Sequence, residues 1–233
     1  MNKLTLILLL LLTLTSCNKN SVSKSQIQNK TFNLIFERNA DTLIIDFQDS
    51  TYHAIEYYRK NNPWKIFNYD HASLLILDNN VFGIKEINKG KFECTEINLG
   101  ENILKMEERK PRWKQEKLFG TWIEEKYLGT DSTDFPPPPI EDIKSNWPPS
   151  YTITKNKIAH DFYNRTESEI QINNTSEFIS LELKNPINYG LVDELWQVMF
   201  LSDTIMIVNK KIQQSYPSYS QDLIRGITLI KKR

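Results

Sequence analysis

The sequence predicts an all-β protein: two small antiparallel barrels or meanders in tandem, preceded by a leader and a polar tether. Three observations predict it. Apolar residues recur with a period of two, as in Phe32, Leu34 and Phe36, then Leu43, Ile45 and Phe47. That alternation belongs to strands with one buried face. Polar turn clusters punctuate the runs, among them Arg38-Asn39-Ala40-Asp41, Asp78-Asn79-Asn80 and Asn88-Lys89-Gly90. No convincing amphipathic helix interrupts the first half.

Composition sets outer limits. The 233 residues contain 29 Lys+Arg and 29 Asp+Glu, giving a net charge of +0. A nucleic-acid binder carries a basic excess, so no nucleic-acid partner is expected. The chain is long enough for one large or two small β domains. With 7 Gly in total, it lacks the Gly-x-Gly-x-x-Gly and Gly-Lys-Ser patterns that cradle phosphates. No cofactor is implied.

The leader comes first. Lys3 supplies a positive start, residues 4–14 an aliphatic run, and Leu14-Thr15-Ser16-Cys17 a small-residue exit. The run falls well short of the roughly 20 residues a spanning helix needs. The four-residue exit resembles the lipobox of bacterial lipoproteins. That resemblance implies cleavage after residue 16, a lipid such as palmitate on Cys17, and a membrane-anchored protein of the cell envelope. The outer membrane, facing the periplasm, is the expected place, because Asn18-Lys19-Asn20 lacks an acidic export-like cluster. Residues 17–28 are polar and read as a flexible lipidated tether. With Cys17 lipidated, Cys94 has no disulfide partner, and its alternating context places it in a buried strand.

The first β domain is expected over 29–110. Strand-like runs follow at 52–58, 73–77, 81–87, 92–97 and 103–106. The charged segment 109–117 is read as a seam crossed by few contacts. The second domain is expected over 118–233, with runs at 118–123, 153–158, 169–172, 178–183, 196–201, 204–208 and 226–230. Asp203 and Asn209 mark turns, and periodicity leaves 190–195 as strand or short helix. The two halves match in order and rough spacing: Thr31-Phe32 against Thr121-Trp122 at the openings, and 102–106 against 226–230 at the ends. They are therefore candidates for a repeat. Gly120-Thr121-Trp122 and the closing Ile227-Thr228-Leu229-Ile230 resemble lipocalin-like domains. The resemblance implies a meander closed on itself, with the tryptophan plugging one end. Each half is short for eight strands, so small or incomplete barrels are expected.

Chemistry is sparsely signalled. His53, His71 and His160 are scattered without metal-ligand spacing. Adjacent carboxylates such as Glu107-Glu108 and Glu124-Glu125 face opposite ways in a strand and read as solvated. A hydrolase is the lesser alternative, with no Gly-x-Ser-x-Gly to support it. The stronger signal is aromatic residues beside prolines: Trp64 after Pro63, Phe135 before Pro136 to Pro139, Trp147 and Tyr151 around Pro148-Pro149, and Tyr216 and Tyr219 around Pro217. In loops at a barrel mouth they are candidates for binding a small apolar ligand or an envelope protein. The long Pro-rich insertion over 129–149 suits a binding loop. The expected function is non-enzymatic binding, with a purely structural β module of filled cores as the alternative.

Overall fold

The computed structural model describes residues 21–232, apart from 39–40, 58–61, 71, 98–101, 111, 132–145, 163–164, 174, 185–190 and 216–218. Cys17, Phe135 and Tyr216 therefore lie outside the described residues.

Both halves are eight-stranded antiparallel meanders. The first comprises β1 (Lys30–Phe36), β2 (Thr42–Phe47), β3 (Tyr52–His53), β4 (Trp64–Tyr69), β5 (Ala72–Leu77), β6 (Asn80–Asn88), β7 (Lys91–Glu96) and β8 (Ile103–Arg109). Most strands pair with their sequence neighbours, and β8 returns to β1, with Leu34 opposite Met106. The sheet stops short of closing between β3 and β4. There, among the described residues, a bridge from Thr51 to Pro63 and the bonds from Trp64 N to Ser50 O and from Tyr52 N to Asn62 O (3.0 Å each) span the gap. β3 is two residues long and Pro63 offers no N–H, so a ladder cannot develop.

The second meander comprises β9 (Gly120–Glu124), β10 (Ser150–Ile153), β11 (Lys157–Asp161), β12 (Arg165–Ile172), β13 (Phe178–Lys184), β14 (Leu191–Leu201), β15 (Ile205–Gln214) and β16 (Ser220–Lys231). It is a closed barrel, sealed where β16 pairs with β9. Eight strands fit in each half because several neighbouring strands are joined by only two or three residues and, in the first half, β3 is two residues long.

Two expectations are corrected first, and one open alternative is decided. The stretch expected as a tether, 17–28, is not all free chain: a 3-10 turn, Lys24–Gln26, drives Val22 and Ile27 into the base of the first core, at 1% and 0% exposure. Val22 N donates to Ser73 Oγ at 2.8 Å. Two apolar residues in a polar stretch make a plug without making a periodicity. Asn209 is not a turn but lies within β15, where the ladder to β16 shifts register. Its Oδ1 accepts from Gly226 N (3.0 Å), and Gly226 takes φ +67, so side chain and glycine together make the bulge. Residues 191–195 are strand. Their periodicity fails because both faces are buried, Trp196 in the barrel and Leu195 against the other half.

The seam is not sparse in contacts either. Ile44 and Ile55 of the first half form one cluster with Phe178 and Leu195 of the second. Arg109 Nε meets Glu177 Oε1 at 2.6 Å in a buried ion pair, and Trp113 Nε1 donates to Ser176 O at 3.2 Å. Thr31 and Thr175 share a hydroxyl bond of 2.9 Å. The 3-10 turn Ile55–Tyr57, beside the β3/β4 gap, is held by Lys211 Nζ on Glu56 O (2.7 Å) and Arg225 on Glu56 Oε1 (3.3 Å). The second barrel thus buttresses the unclosed edge of the first.

Candidate functional site

The first core is layered. At its base Val22 and Ile27 close the barrel. Above them lies an aromatic floor: Phe32 packs edge-on against Phe47 (5.8 Å) and Phe92 (5.9 Å), and Phe47 against Trp64 (5.0 Å). Trp64 is the first residue of β4, 4% exposed, with Nε1 donating to Gln48 O at 3.0 Å. It belongs to this floor, not to a mouth loop.

Above the floor the side chains stop meeting. A cavity of about 240 Å3 opens among Leu34, Leu43, Ile45, Phe82 and Leu104, walled by the inward faces of β1, β2, β6 and β8. Its rim is polar, where Asn102 Nδ2 donates to Glu96 Oε2 at 3.0 Å. Phe36, Leu43 and Tyr57 also line a second, polar space of about 380 Å3 that reaches Asp41, Glu56 and Arg225. The apolar cavity thus borders a polar vestibule shared with the second barrel.

The second core is filled differently. Trp122, Trp196, Met206 and Leu229 are all at 0% exposure. Trp122 Nε1 donates to Leu118 O at 2.8 Å. Lys231 crosses Gly120, where an added Cβ would come within 2.6 Å of its Cε, and sets its ammonium 5.1 Å from the Trp122 ring. Glycine is favoured there by φ +131, a backbone conformation that other residues rarely adopt, while the Lys231 end could shift aside for a Cβ.

Deeper in this barrel stands a charged cluster. The Lys210 ammonium lies 4.1 Å from the ring centres of both Tyr151 and Trp196 and 3.3 Å from Glu124 Oε1. Tyr151 OH donates to the same oxygen at 3.0 Å, and Lys126 holds the other at 2.8 Å. Trp196 Nε1 donates to Glu194 Oε2 at 2.7 Å. Burial lowers the Lys210 pKa against the pull of Glu194 and Glu124. Burial raises Glu124, but Lys210, Lys126 and Tyr151 together hold it below the ordinary range. His160 stacks on Tyr151 at 4.6 Å, and burial and Lys210 push its pKa down to about 4. Glu124 is therefore no solvated surface carboxylate; it is 7% exposed, as Lys210 is at 3%. Pairing with two cations and a phenol offsets the cost of its burial.

The aromatics singled out by the sequence separate. Tyr151 is a strand residue of β10 inside the second barrel, part-buried in this cluster. Trp147 donates from Nε1 to Thr130 O (2.7 Å) and packs on Tyr127 at 5.6 Å and Phe162 at 6.4 Å, tying the feet of the Pro-rich insertion together. Tyr219 is 67% exposed beside β16. None of Trp64, Trp147, Tyr151 and Tyr219 lines the apolar cavity. The residues that do are Leu34, Leu43, Ile45, Phe82 and Leu104, which sequence reasoning treats as ordinary core.

Cys94 is buried at 1% in β7, with its thiol pushed up to about 12 by burial and Glu93, so it is not a nucleophile at neutral pH. Among the described residues, no group of three His, Cys, Asp or Glu side chains could hold a metal ion. Comparison of the chain with protein-family models, curated proteins and solved structures finds no match in any of the three.

Proposed function

We propose that the protein is a lipid-anchored lipoprotein of the bacterial envelope that binds a small apolar ligand in the mouth of its first barrel, without catalysis. The observation that carries this reading is the apolar cavity of about 240 Å3 with a polar rim. Apolar walls give affinity, and the few polar groups at one end orient the ligand. At about 30 Å3 per water-sized group, the space suits a ligand of roughly eight to ten heavy atoms.

The anchor fits this geometry. Cys17 precedes the buried Val22 by five positions in the sequence, a reach of at most about 18 Å. The plugged base then lies near the membrane. The mouth sits at the far ends of the strands, where β1 finishes and β2 begins, and so faces away from the membrane.

The test is saturation-transfer NMR on the full chain in detergent with 1-octanol as the probe. Saturable binding is expected, and Leu43→Trp, which fills the mouth, should abolish it. Equal signal from the filled variant would defeat the reading. For the anchor, metabolic labelling with palmitate should mark the native chain and not Cys17→Ser. Label retained on the serine variant would rule out attachment at that thiol.

A further inference from the structure

A second cleft, away from the first barrel's mouth, lies between the two barrels at their junction. It encloses about 420 Å3 and is lined by the β2–β3 turn, by Asn29, and by Gln171 and Asn173 at the end of β12. Its chemistry is unlike that of the apolar cavity. Four side-chain amides (Asn29, Gln48, Gln171, Asn173) and two carboxylates (Asp46, Asp49) line it, with no Lys or Arg among the lining residues. Gln171 Nε2 donates to Gln48 Oε1 at 3.1 Å, linking one barrel to the other across the cleft. Asp49 accepts from Gln28.

Two deep groups in the cleft are incompletely used. Asp46 is 2% exposed; Oδ1 accepts from Thr31 Oγ1 at 2.9 Å, while Oδ2 has no hydrogen-bond partner. Asn173 is 5% exposed; Oδ1 accepts from Glu177 N at 2.8 Å, while Nδ2 has no partner. The Asn173 amide stands near enough to Asp46 to favour its charged form, yet neither closes a hydrogen bond on the other. A buried acceptor and a buried donor thus stand side by side in the wall of the cleft. Leaving such groups unmet forfeits the hydrogen bonds that water would give them in the unfolded chain.

We infer that this cleft binds an uncharged, polyhydroxylated ligand, a short glycan, independently of the apolar site. A hydroxyl both donates and accepts, so one sugar edge can meet Asp46 Oδ2 and Asn173 Nδ2 together. An anion would face two carboxylates with no cation to answer it. A cation would be met by the carboxylates but, accepting no hydrogen bond, would leave the Asn173 Nδ2–H unmet. An apolar ligand would leave both groups unmet. The volume, at about 30 Å3 per water-sized group, holds roughly fourteen heavy atoms, one sugar ring and part of a second. Phe47 lines the cleft but is fully buried, so no aromatic face is offered by it. Hydrogen bonds therefore carry the affinity, which falls near ~0.1–1 mM.

The experiment is isothermal titration calorimetry on the full chain in detergent with maltose, cellobiose, mannobiose and N,N′-diacetylchitobiose. Digalacturonate and spermidine serve as the anionic and cationic probes. At least one neutral disaccharide should bind, and the two charged probes should not. Asp46→Asn, which keeps the shape but replaces the free acceptor with an amide, should weaken binding roughly tenfold. Ser50→Trp, which blocks the cleft and leaves its buried polar groups in place, should remove it. Leu43→Trp, which fills the other cavity, should leave it unchanged, so this inference and the apolar-ligand reading fail separately. Heat of dilution alone for every neutral sugar would mean the cleft holds only water and would overturn the inference. So would preferential binding of either charged probe, or undiminished binding by Ser50→Trp.

Discussion

The two barrels share a strand order and differ in what fills them. In each, the first strand pairs with the last and carries a fully buried aromatic, Phe32 in one and Trp122 in the other. The first barrel uses mainly aliphatic and aromatic side chains with no buried charge among them, needs a plug from outside its sheet, and runs out of side chains below its mouth. The second places two tryptophans, a tyrosine and a buried lysine in its interior and closes its own ring. The lesson is that a meander does not fix whether a barrel is a container. Leu34 and Leu43 are too short to span the upper lumen of the first barrel. Tyr151, Trp196 and Lys210 are long enough to cross that of the second, and there the difficulty becomes electrostatic instead of steric.

The largest expected effect tests that electrostatic filling. Glu124→Ala removes one partner of the Lys210 ion pair and leaves an ammonium at 3% exposure between two aromatic rings. Removing one partner of a buried pair costs about 3–5 kcal/mol, and the remaining pull of Glu194 on the ammonium sets the loss toward the lower end of that range. The double variant Glu124→Gln with Lys210→Met should recover most of that loss, since an apolar replacement removes the charge as well as its partner. Urea denaturation of the full chain measures both. A single variant as stable as the native chain would show that the cluster is not what holds the second barrel together.

How legible was this in the sequence? Alternation exposed most strands in both halves because one face of each is buried and the other is mostly not. It failed where that premise failed. At Leu195 and Trp196 both faces are covered, one by the barrel and one by the neighbouring half. Asn209 carried a turn signal, yet its amide substitutes for a missing ladder bond at a bulge. Val22 and Ile27 are too few to make a pattern. Glu124 reads as solvated because only its neighbour Glu125 is visible locally, while its partner Lys210 lies 86 positions away in sequence and becomes a neighbour only in the folded barrel. The cavity left no trace at all: a leucine that meets a neighbour and one that faces a void look alike in sequence. The Pro-flanked aromatics gave a local signal that is only partly functional in form, since Trp147 ties a loop base and Trp64 builds a floor.

A smaller effect separates the junction from both cores. Burial pushes the Asp46 carboxyl up to about 6, against the Thr31, Gln48 and Asn173 side chains, which favour its charged form, with Glu177 adding to the rise. Its folded pKa therefore lies above its ordinary value of 3.8. The stability it contributes is complete below 3.8 and is lost as pH rises through about 6, an effect of about 3 kcal/mol. The buried histidines act oppositely. Burial lowers His53 and His160 to about 4 from 6.5, so their contribution is present above 6.5 and lost as pH falls toward 4. The whole chain mixes these trends, but Asp46→Asn isolates one. Relative to the native chain, the asparagine variant should gain about 2.5 kcal/mol more at pH 8 than at pH 4. A difference that does not change with pH would mean that Asp46 titrates as it does in the unfolded chain.

The smallest expected effect goes to the heart of the contrast between a barrel with room and one without. Leu43 lines the mouth cavity of the first barrel and is only partly buried. Leu43→Phe adds volume to a void already bounded by Leu34, Phe82 and Leu104. Nothing must move to receive the larger ring, and the new contacts recover dispersion energy that the empty space forgoes. Stability should change by less than about 0.5 kcal/mol, or rise slightly. Ile153, at 1% exposure in the filled second barrel, provides the control. There the same enlargement, Ile153→Phe, forces neighbouring side chains from their rotamers and should cost about 1–3 kcal/mol. Thermal and urea unfolding of both variants, read against the native chain, compare the two interiors by one kind of change. If Leu43→Phe costs as much as Ile153→Phe, the first barrel is as tightly packed as the second and has no room for a ligand. If both are tolerated, the second barrel is looser than its buried tryptophans imply. Only an unpenalised change in the first and a penalty in the second fits two meanders of one topology, one left open and one packed full.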